Sequence, residues 1–243
     1  MVAAKEAHAE VVEALQSGRY AFLDAGCGEG GSMTQLTQRF GRSPGLGIDY
    51  YMEAVEASRK AGFESIYCNL LMPDLVLPEG CVKFAAAMDF LEHLPTEQDA
   101  VQILVKLASA ARDFLIIRHP SFEDVEYLQQ FGLKLNWTDW SCHPNPMKLE
   151  DFHRIFAGLD WHDYEILPHM NYADASHESM LPLAAPVDTL RYDPKSHGPK
   201  PQVEFDRPVW GKFDIFVKLN PAMDEAEWES IARVEGWEAH WDF

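Results

Sequence analysis

Basic charge is what this sequence has least of. Its 243 residues carry 20 lysines and arginines against 39 aspartates and glutamates, a formal net charge of -19. Such a surface repels phosphate backbones and anionic headgroups. The longest basic cluster, "KSHGPK" at 195–200, is too short and diluted to reverse this. Neither nucleic acid nor a membrane is expected as a partner. Cysteine is scarce too: Cys27, Cys68, Cys81 and Cys142 form no C-x-x-C pair, and each sits in or beside an apolar run. That pattern favours free thiols in a reducing compartment over a disulfide framework. No stretch approaches the ~20 apolar residues of a membrane span. Charges at positions 5, 6, 10 and 13 interrupt any apolar signal core. The expected location is cytoplasmic. Internal repeats and low-complexity tracts are also lacking.

What is present is a regular alternation. The composition, 47% hydrophobic and 24% charged, suits a globular protein able to bury a sizeable core. Helical apolar spacing over 3–16 precedes a short buried strand, "YAFLDAG", and a helix over 31–40. Strand "GLGID" (45–49), helix 51–62, strand 63–69, strand 81–88, helix 97–111 and strand 113–120 follow. Repeated strand–helix steps with short links imply right-handed crossovers and a parallel sheet covered on both faces. Ligands then bind beyond the carboxyl ends of the strands. After 120 the regularity falters. A helix over 147–159, a strand in "WHDYEIL", an irregular segment over 173–208, a closing strand over 212–220 and an acidic helix over 222–235 are expected.

"FLDAGCGEGGSM" (22–33) runs the first strand into a glycine turn. Gly26, Gly28 and Gly31 fit the dinucleotide pattern G-x-G-x-x-G; Gly26, Gly28 and Gly30 fit equally the tighter turn that takes S-adenosylmethionine. Asp24 separates the two readings. A carboxylate at the strand end reaches the cationic amino group of a methionyl tail, but sits badly beside a pyrophosphate, and Glu29 adds a second charge of the wrong sign for phosphate. Asp49, at the end of the next strand, suits ribose hydroxyls under either reading. In "CNLL", Asn69 is placed to pair with an adenine amino group, while Leu70 and Leu71 cover the ring. The fourth strand ends in "MDFLEHLP".

These segments resemble class I S-adenosylmethionine-dependent methyltransferases. "LDAGCGEG" resembles their first motif, "GIDYYMEAVEASRKAG" their second and "AAAMDFLEHLP" their strand-four motif, in order over residues 20–120. The L-E-H-L form resembles the small-molecule branch, which includes quinone and sugar O-methyltransferases. "CHPNPMKLEDFHRIFAGLDWHDYEI" is similar to the H-x-N segment, helix and strand of sugar-type relatives. The resemblance implies an α/β, Rossmann-like, doubly wound sheet, mostly parallel with an antiparallel final strand and helices on both faces. It implies one methyltransferase domain over 1–220, with substrate-side insertions at about 121–146 and 173–208, then an acidic helix or tail over 221–243. The cofactor is expected to be S-adenosyl-L-methionine, held by Asp24, Gly26, Cys27, Gly28, Gly30, Asp49, Tyr50, Asn69, Leu70, Met88, Asp89 and His93. Asn69 departs from the family's usual Asp. No N-P-P-Y or D-P-P-Y tetrapeptide follows strand four, which argues against methylation of bases or glutamine.

Methyl transfer to a hydroxyl asks for alignment, a dry site and removal of one proton, for which histidine is the commonest side chain. His119, after strand five, and His143, in an aromatic loop, are the candidates for base or substrate contact; each reads equally as a hydrogen-bonded strand end or a turn anchor. No metal is expected, because "RHPSFED" lacks the Asp-Asn pair of metal-dependent relatives and the histidines show no close spacing. Tyr127, Trp137, Trp140, Tyr172, Tyr192 and Trp210 suit sugar or phenol faces, but also serve as core filler. Arg118 suits an acidic substrate or a surface carboxylate. The apolar face of the terminal helix, Trp228, Ile231, Val234 and Trp237, docks either on its own domain or on a second subunit in a homodimer. The leading function is methyl transfer to an oxygen of a small molecule: a sugar, a sugar conjugate, a phenol or a quinone. The rivals are a nicotinamide-dependent oxidoreductase and a non-catalytic scaffold that keeps the cofactor pocket.

Overall fold

Short apolar runs bounded by glycine and other turn formers become the inner strands. The computed structural model describes residues 2–41 and 44–232. Its first half contains α1 (Val2–Gln16), β1 (Phe22–Ala25), α2 (Gly31–Phe40), β2 (Gly45–Asp49), α3 (Met52–Lys60), β3 (Glu64–Tyr67), β4 (Val82–Met88), α4 (Glu97–Ala110) and β5 (Ala111–Pro120). α4 shows why a sequence of this kind turns helical. Thr96 accepts the Asp99 N–H as N-cap, and Ala100, Ile103, Leu104 and Leu107, spaced three and four apart, are buried.

The second half adds α5 (Val125–Gln130), β6 (Leu133–Leu135), α6 (Leu149–Gly158), β7 (Tyr164–Asp174), β8 (Met180–Pro182), α7 (Pro194–His197), β9 (Glu204–Lys218) and α8 (Glu225–Ala232). The main sheet runs β3-β2-β1-β4-β5-β9-β7. Pairings among β1 to β5 are parallel, whereas β9 is antiparallel to both β5 and β7. The expected antiparallel closing strand is therefore present, inserted second from the edge.

The expectation of an irregular segment over 173–208 is corrected. β7 continues to Asp174, and β9 begins at Glu204, so the two strands rise as a hairpin beyond the carboxyl edge of β5. Between them β8 pairs with β6, Leu133 opposite Pro182 and Leu135 opposite Met180. The two insertions thus close on one another. Leu133, Leu135, Trp137, Tyr172, Met180 and Val209 form a separate small core there. Alternation was hard to read because proline, histidine and glycine interrupt every apolar run in the segment.

Each face of the sheet has its own core. On one, α1, α4 and α6 bury Leu15, Leu104, Phe152 and Phe156 against Leu23 and Ile48. On the other, Phe22 and Phe114 stack on Phe84 at 5.2 and 4.9 Å, with Met33, Leu36 and Trp228 beside them. Trp228 and Ile231 of α8 are buried in that second core, so the described part of the terminal helix docks on its own domain. Val234 and Trp237 lie outside the described residues.

Arg118 pairs with neither a surface carboxylate nor open space. Directly opposite Asp214 on β9, its fully buried guanidinium donates from Nε to Oδ1 at 2.6 Å and from Nη2 to Oδ2 at 3.0 Å, while Nη1 donates to Gln35 at 2.8 Å. Removing one member of such a pair strands the other charge. Arg118→Ala is expected to cost about 3–5 kcal/mol in urea unfolding, and Arg118→Met with Asp214→Leu to recover most of it. An Arg118→Ala variant as stable as the parent would show that β9 is held by apolar packing alone.

Candidate active site

The carboxyl edge of the sheet is where the chain changes from apolar to chemically active. At the end of β1 the backbone turns sharply. Gly26 and Gly28 both have positive φ, 73° and 51°. At Gly26 a Cβ would meet the Phe90 ring at 2.2 Å, so only glycine lets the turn settle on Phe90. At Gly28 a Cβ would meet nothing within 4 Å, which leaves an open cradle above the turn. The Gly26 and Cys27 N–H groups donate to the Ile48 carbonyl. The Gly28 N–H donates to Asp49 Oδ2 at 2.9 Å, and the Tyr51 N–H to Oδ1 at 2.8 Å. Asp49 thereby clamps the turn to the start of α3, and each of its oxygens keeps a lone pair for a ligand hydroxyl.

Asp24 is fully buried beneath this turn. Ser32 donates to Oδ2, whereas Oδ1 is buried with no partner. Burial pushes its carboxyl up to about 7, against the Ser32 bond and helped by the nearby Asp49 charge. A buried carboxylate oxygen without a donor is what a cationic amino group would satisfy. The remaining cofactor candidates divide. Gly30, left-handed at φ 99°, starts α2. Tyr50 is exposed and stacks with Tyr67 at 6.1 Å, beside the Asp49 clamp. Asn69 spends Oδ1 on the Leu71 N–H at 2.9 Å, which leaves its amide nitrogen as the outward group. The Cys27, Leu70 and Met88 side chains are buried in the cores, so these residues offer backbone rather than side chain. Leu71, not Leu70, is the half-open member of that pair.

Past β4 and β5 lies a second group of polar residues. Asp89, a non-glycine residue with φ 50°, receives the Lys212 ammonium on Oδ2 at 2.8 Å. Burial pushes its carboxyl up, but Lys212 and Arg118 outweigh this and hold it below the usual range. Glu92, buried with Oε2 unpartnered, is driven well above the usual carboxylate range by burial and by Asp89. His119 Nδ1 lies 2.8 Å from the Pro120 carbonyl and must donate there; Nε2 is then a lone-pair acceptor, buried and unpartnered. Burial lowers its pKa to about 4.

His143 is half-buried and likewise donates from Nδ1 to the Trp137 carbonyl, at 3.1 Å. Its pKa falls to about 4, through burial and the neighbouring His93. Its ring meets His93 edge-on at 4.8 Å. Asn145 donates from Nδ2 to the Leu91 carbonyl at 3.0 Å, pinning this loop to the turn after β4. His93 is exposed and faces that loop, donating from Nδ1 to the Cys142 carbonyl at 2.9 Å. The sequence reading missed Glu92, Lys212 and Asp214. Glu92 sat unmarked inside the quoted L-E-H-L, and the two β9 residues read as ordinary polar positions of a closing strand.

The aromatic residues scatter. Trp137 and Tyr172 are buried in the small core, Trp137 donating to the Ser121 carbonyl at 3.0 Å. Trp140 donates to Thr189 at 3.2 Å, Tyr127 to Asp206 at 2.6 Å and Tyr192 to Gly198 at 2.7 Å. Only Trp210 of the set lines the large groove of about 600 Å³ between α6 and the β7–β9 hairpin, beside Phe213 and Arg207.

The strand order and the glycine turn define a class of fold, an α/β Rossmann-like sheet with an antiparallel strand pair at one edge. Residues 23–111 match the family described as methyltransferase domain. No curated protein matches the chain. Solved structures share its fold. An S-adenosylmethionine-dependent methyltransferase from Archaeoglobus fulgidus is 16% identical with a TM-score of 0.56, over 88% of this chain and 93% of that one. The YcgJ protein from Bacillus subtilis is 13% identical with a TM-score of 0.55, over 89% and 99%. A methyltransferase from Thermotoga maritima, described as a possible histamine N-methyltransferase, is 12% identical with a TM-score of 0.51, over 88% and 89%. The chain thus has an α/β, Rossmann-like fold shared with these structures, and over residues 23–111 it is similar to the methyltransferase domain family.

The cofactor fits the residues present. Asp24 Oδ1 lacks a cation, Gly28 leaves room, and Asp49 has spare lone pairs. Two outcomes follow. S-adenosylhomocysteine carries the same amino group, and its binding should draw Asp24 into the ionised form. About one proton is then released per molecule bound near pH 6, and affinity rises with pH up to about 7 and flattens above. Calorimetry in buffers of different ionisation enthalpy reads this directly, and Asp24→Asn should abolish the proton release. Asp49→Ala removes both the clamp and the hydroxyl acceptor, and should weaken binding by about 1–3 kcal/mol. Unchanged affinity would refute the ribose role.

Proposed function

We propose that the methyl group is delivered to an oxygen of a small molecule: a sugar, a sugar conjugate or a phenolic ring. The observation that carries this reading is His119. Its Nδ1–H is committed to the Pro120 carbonyl, so its buried Nε2 is a fixed hydrogen-bond acceptor without a partner. An acceptor hydroxyl passes its proton to such a group as its oxygen takes the methyl. The acidic surface and the closing pair of insertions favour a small acceptor over nucleic acid.

The bound cofactor supplies an activated methyl carbon on a sulfonium. The chain does the rest. Asp24 and Asp49 fix the two ends of the cofactor, the β6–β8 cap excludes water, and His119 Nε2 accepts the hydroxyl proton. His143, at the mouth, contacts the acceptor. Neither imidazole is charged at neutral pH, so neither repels the sulfonium.

The test is incubation with methyl-labelled S-adenosylmethionine and panels of hydroxyl, amine and thiol acceptors, with the product identified by NMR as methoxy, N-methyl or S-methyl. An amine or thiol product would overturn the oxygen assignment. His119→Ala should lower turnover on the hydroxyl acceptor ~10²–10⁴-fold, with S-adenosylhomocysteine affinity retained. Full activity in a folded His119→Ala variant would remove the base from the scheme.

A further inference from the structure

The loop that carries His143 brings together three groups that the sequence keeps apart. His93, in the turn after β4, meets Cys142 and His143, forty-nine and fifty residues later; their ligand atoms lie within 4.8 Å of one another. We propose that His93, Cys142 and His143 form a binding site for a divalent transition metal of the zinc type, with a fourth position open to solvent. This goes beyond the methyl-transfer reading and does not depend on the acceptor. It departs from the metal-free expectation, which rested on motif and spacing, whereas these three residues are brought together by tertiary packing.

Three observations support it. First, each imidazole commits one nitrogen to a backbone carbonyl and keeps the other. His93 Nδ1–H donates to the Cys142 carbonyl at 2.9 Å and His143 Nδ1–H to the Trp137 carbonyl at 3.1 Å, so both Nε2 atoms keep their lone pairs. A ligating histidine almost always donates its other nitrogen to such a group. Second, the donor set suits the ion. Two imidazoles and one thiolate are borderline-soft ligands, and three protein ligands with an open position mark sites that bind a further molecule rather than sites closed for structure. Third, the framework is held from outside the cluster: Asn145 anchors the loop on Leu91, and the Asn145 N–H donates to the Glu92 carbonyl.

Tetrahedral zinc places N and S ligands about 3.3–3.7 Å apart. The three atoms must therefore close by about 1 Å, within the reach of the exposed Cys142 side chain turning about its first side-chain bond. On binding, the thiol proton leaves for solvent and the thiolate lone pair enters the metal bond.

The experiment uses the full chain, freed of metal by dialysis against a chelator and then titrated with Zn²⁺ and with Co²⁺. One equivalent should bind. Cobalt should give a thiolate-to-cobalt charge-transfer band together with the intense visible absorption of a tetrahedral ion. Cys142→Ser should abolish the charge-transfer band. It should also weaken zinc by more than the ~10–100-fold typical of losing an outer-sphere partner, and His93→Ala should do the same to affinity. Thermal melting of both variants checks the fold, since both side chains are exposed. Absence of a stoichiometric zinc site, a cobalt spectrum without the thiolate band, or zinc affinity unchanged in folded Cys142→Ser would each overturn the site. Methyl transfer, measured separately, is unaffected as a conclusion by any of these.

Discussion

Everything at the carboxyl edge depends on how buried carboxylates are compensated. Asp24, at the end of β1, and Glu92, in the turn after β4, are buried, Asp89 between them is part-buried, and an uncompensated buried charge there would cost several kcal/mol. The fold answers each differently. Asp89 receives Lys212 on Oδ2, Glu92 is shifted well above the usual carboxylate range by burial, and Asp24 receives Ser32 on Oδ2 with Oδ1 left unpartnered. The cation comes from β9, whose antiparallel register sets Lys212 opposite Pro120 and Asp214 opposite Arg118. The insertion of β9 between β5 and β7 is therefore an electrostatic device as well as a packing one. Without it Asp89 would lose its neutralising partner and Arg118 its carboxylate.

The same strand connects the sheet to the acceptor side. β9 and β7 rise past the edge, β8 closes on β6, and Trp137 sits in the core so formed. Trp137 then presents its carbonyl to His143. The position of that imidazole thus depends on contacts some forty residues away in the chain, whereas the glycine turn depends on local backbone and on Asp49. Cofactor pocket and acceptor pocket have separate structural supports. Cofactor affinity should accordingly tolerate damage to the cap.

How legible each part was follows from that difference. The parallel half of the sheet, the glycine turn and the places of Asp24 and Asp49 were readable because period, strand ends and turn chemistry are local. The 173–208 segment was not, because β8 is three residues long and acquires meaning only through β6. Arg118 was seen but misassigned, since its partner Asp214 lies ninety-six residues on. Leu70 was expected over an adenine ring, yet it belongs to the core, and only the half-buried Leu71 is placed to take that part. Spacing rules for metal ligands fail for the same reason: a pair such as His93 and His143 has no signature until the loop is folded.

The charge pattern also bears on catalysis. In methyl transfer from a sulfonium to a neutral hydroxyl, positive charge leaves the sulfur and ends on the base with the hydroxyl proton, so an anionic group held close to the sulfur stabilises the reactant more than the transition state and slows the step. Binding still needs an anion for the methionyl ammonium. The structure separates these demands by place. The carboxylate left for the ammonium is Asp24, beneath the turn at β1. Beyond β4 and β5 Asp89 is paired with Lys212, burial shifts the Glu92 carboxyl well above its usual range, and the two imidazoles are neutral. On the proposed reading this side holds a hydroxyl acceptor and takes its proton on the fixed Nε2 lone pair of His119.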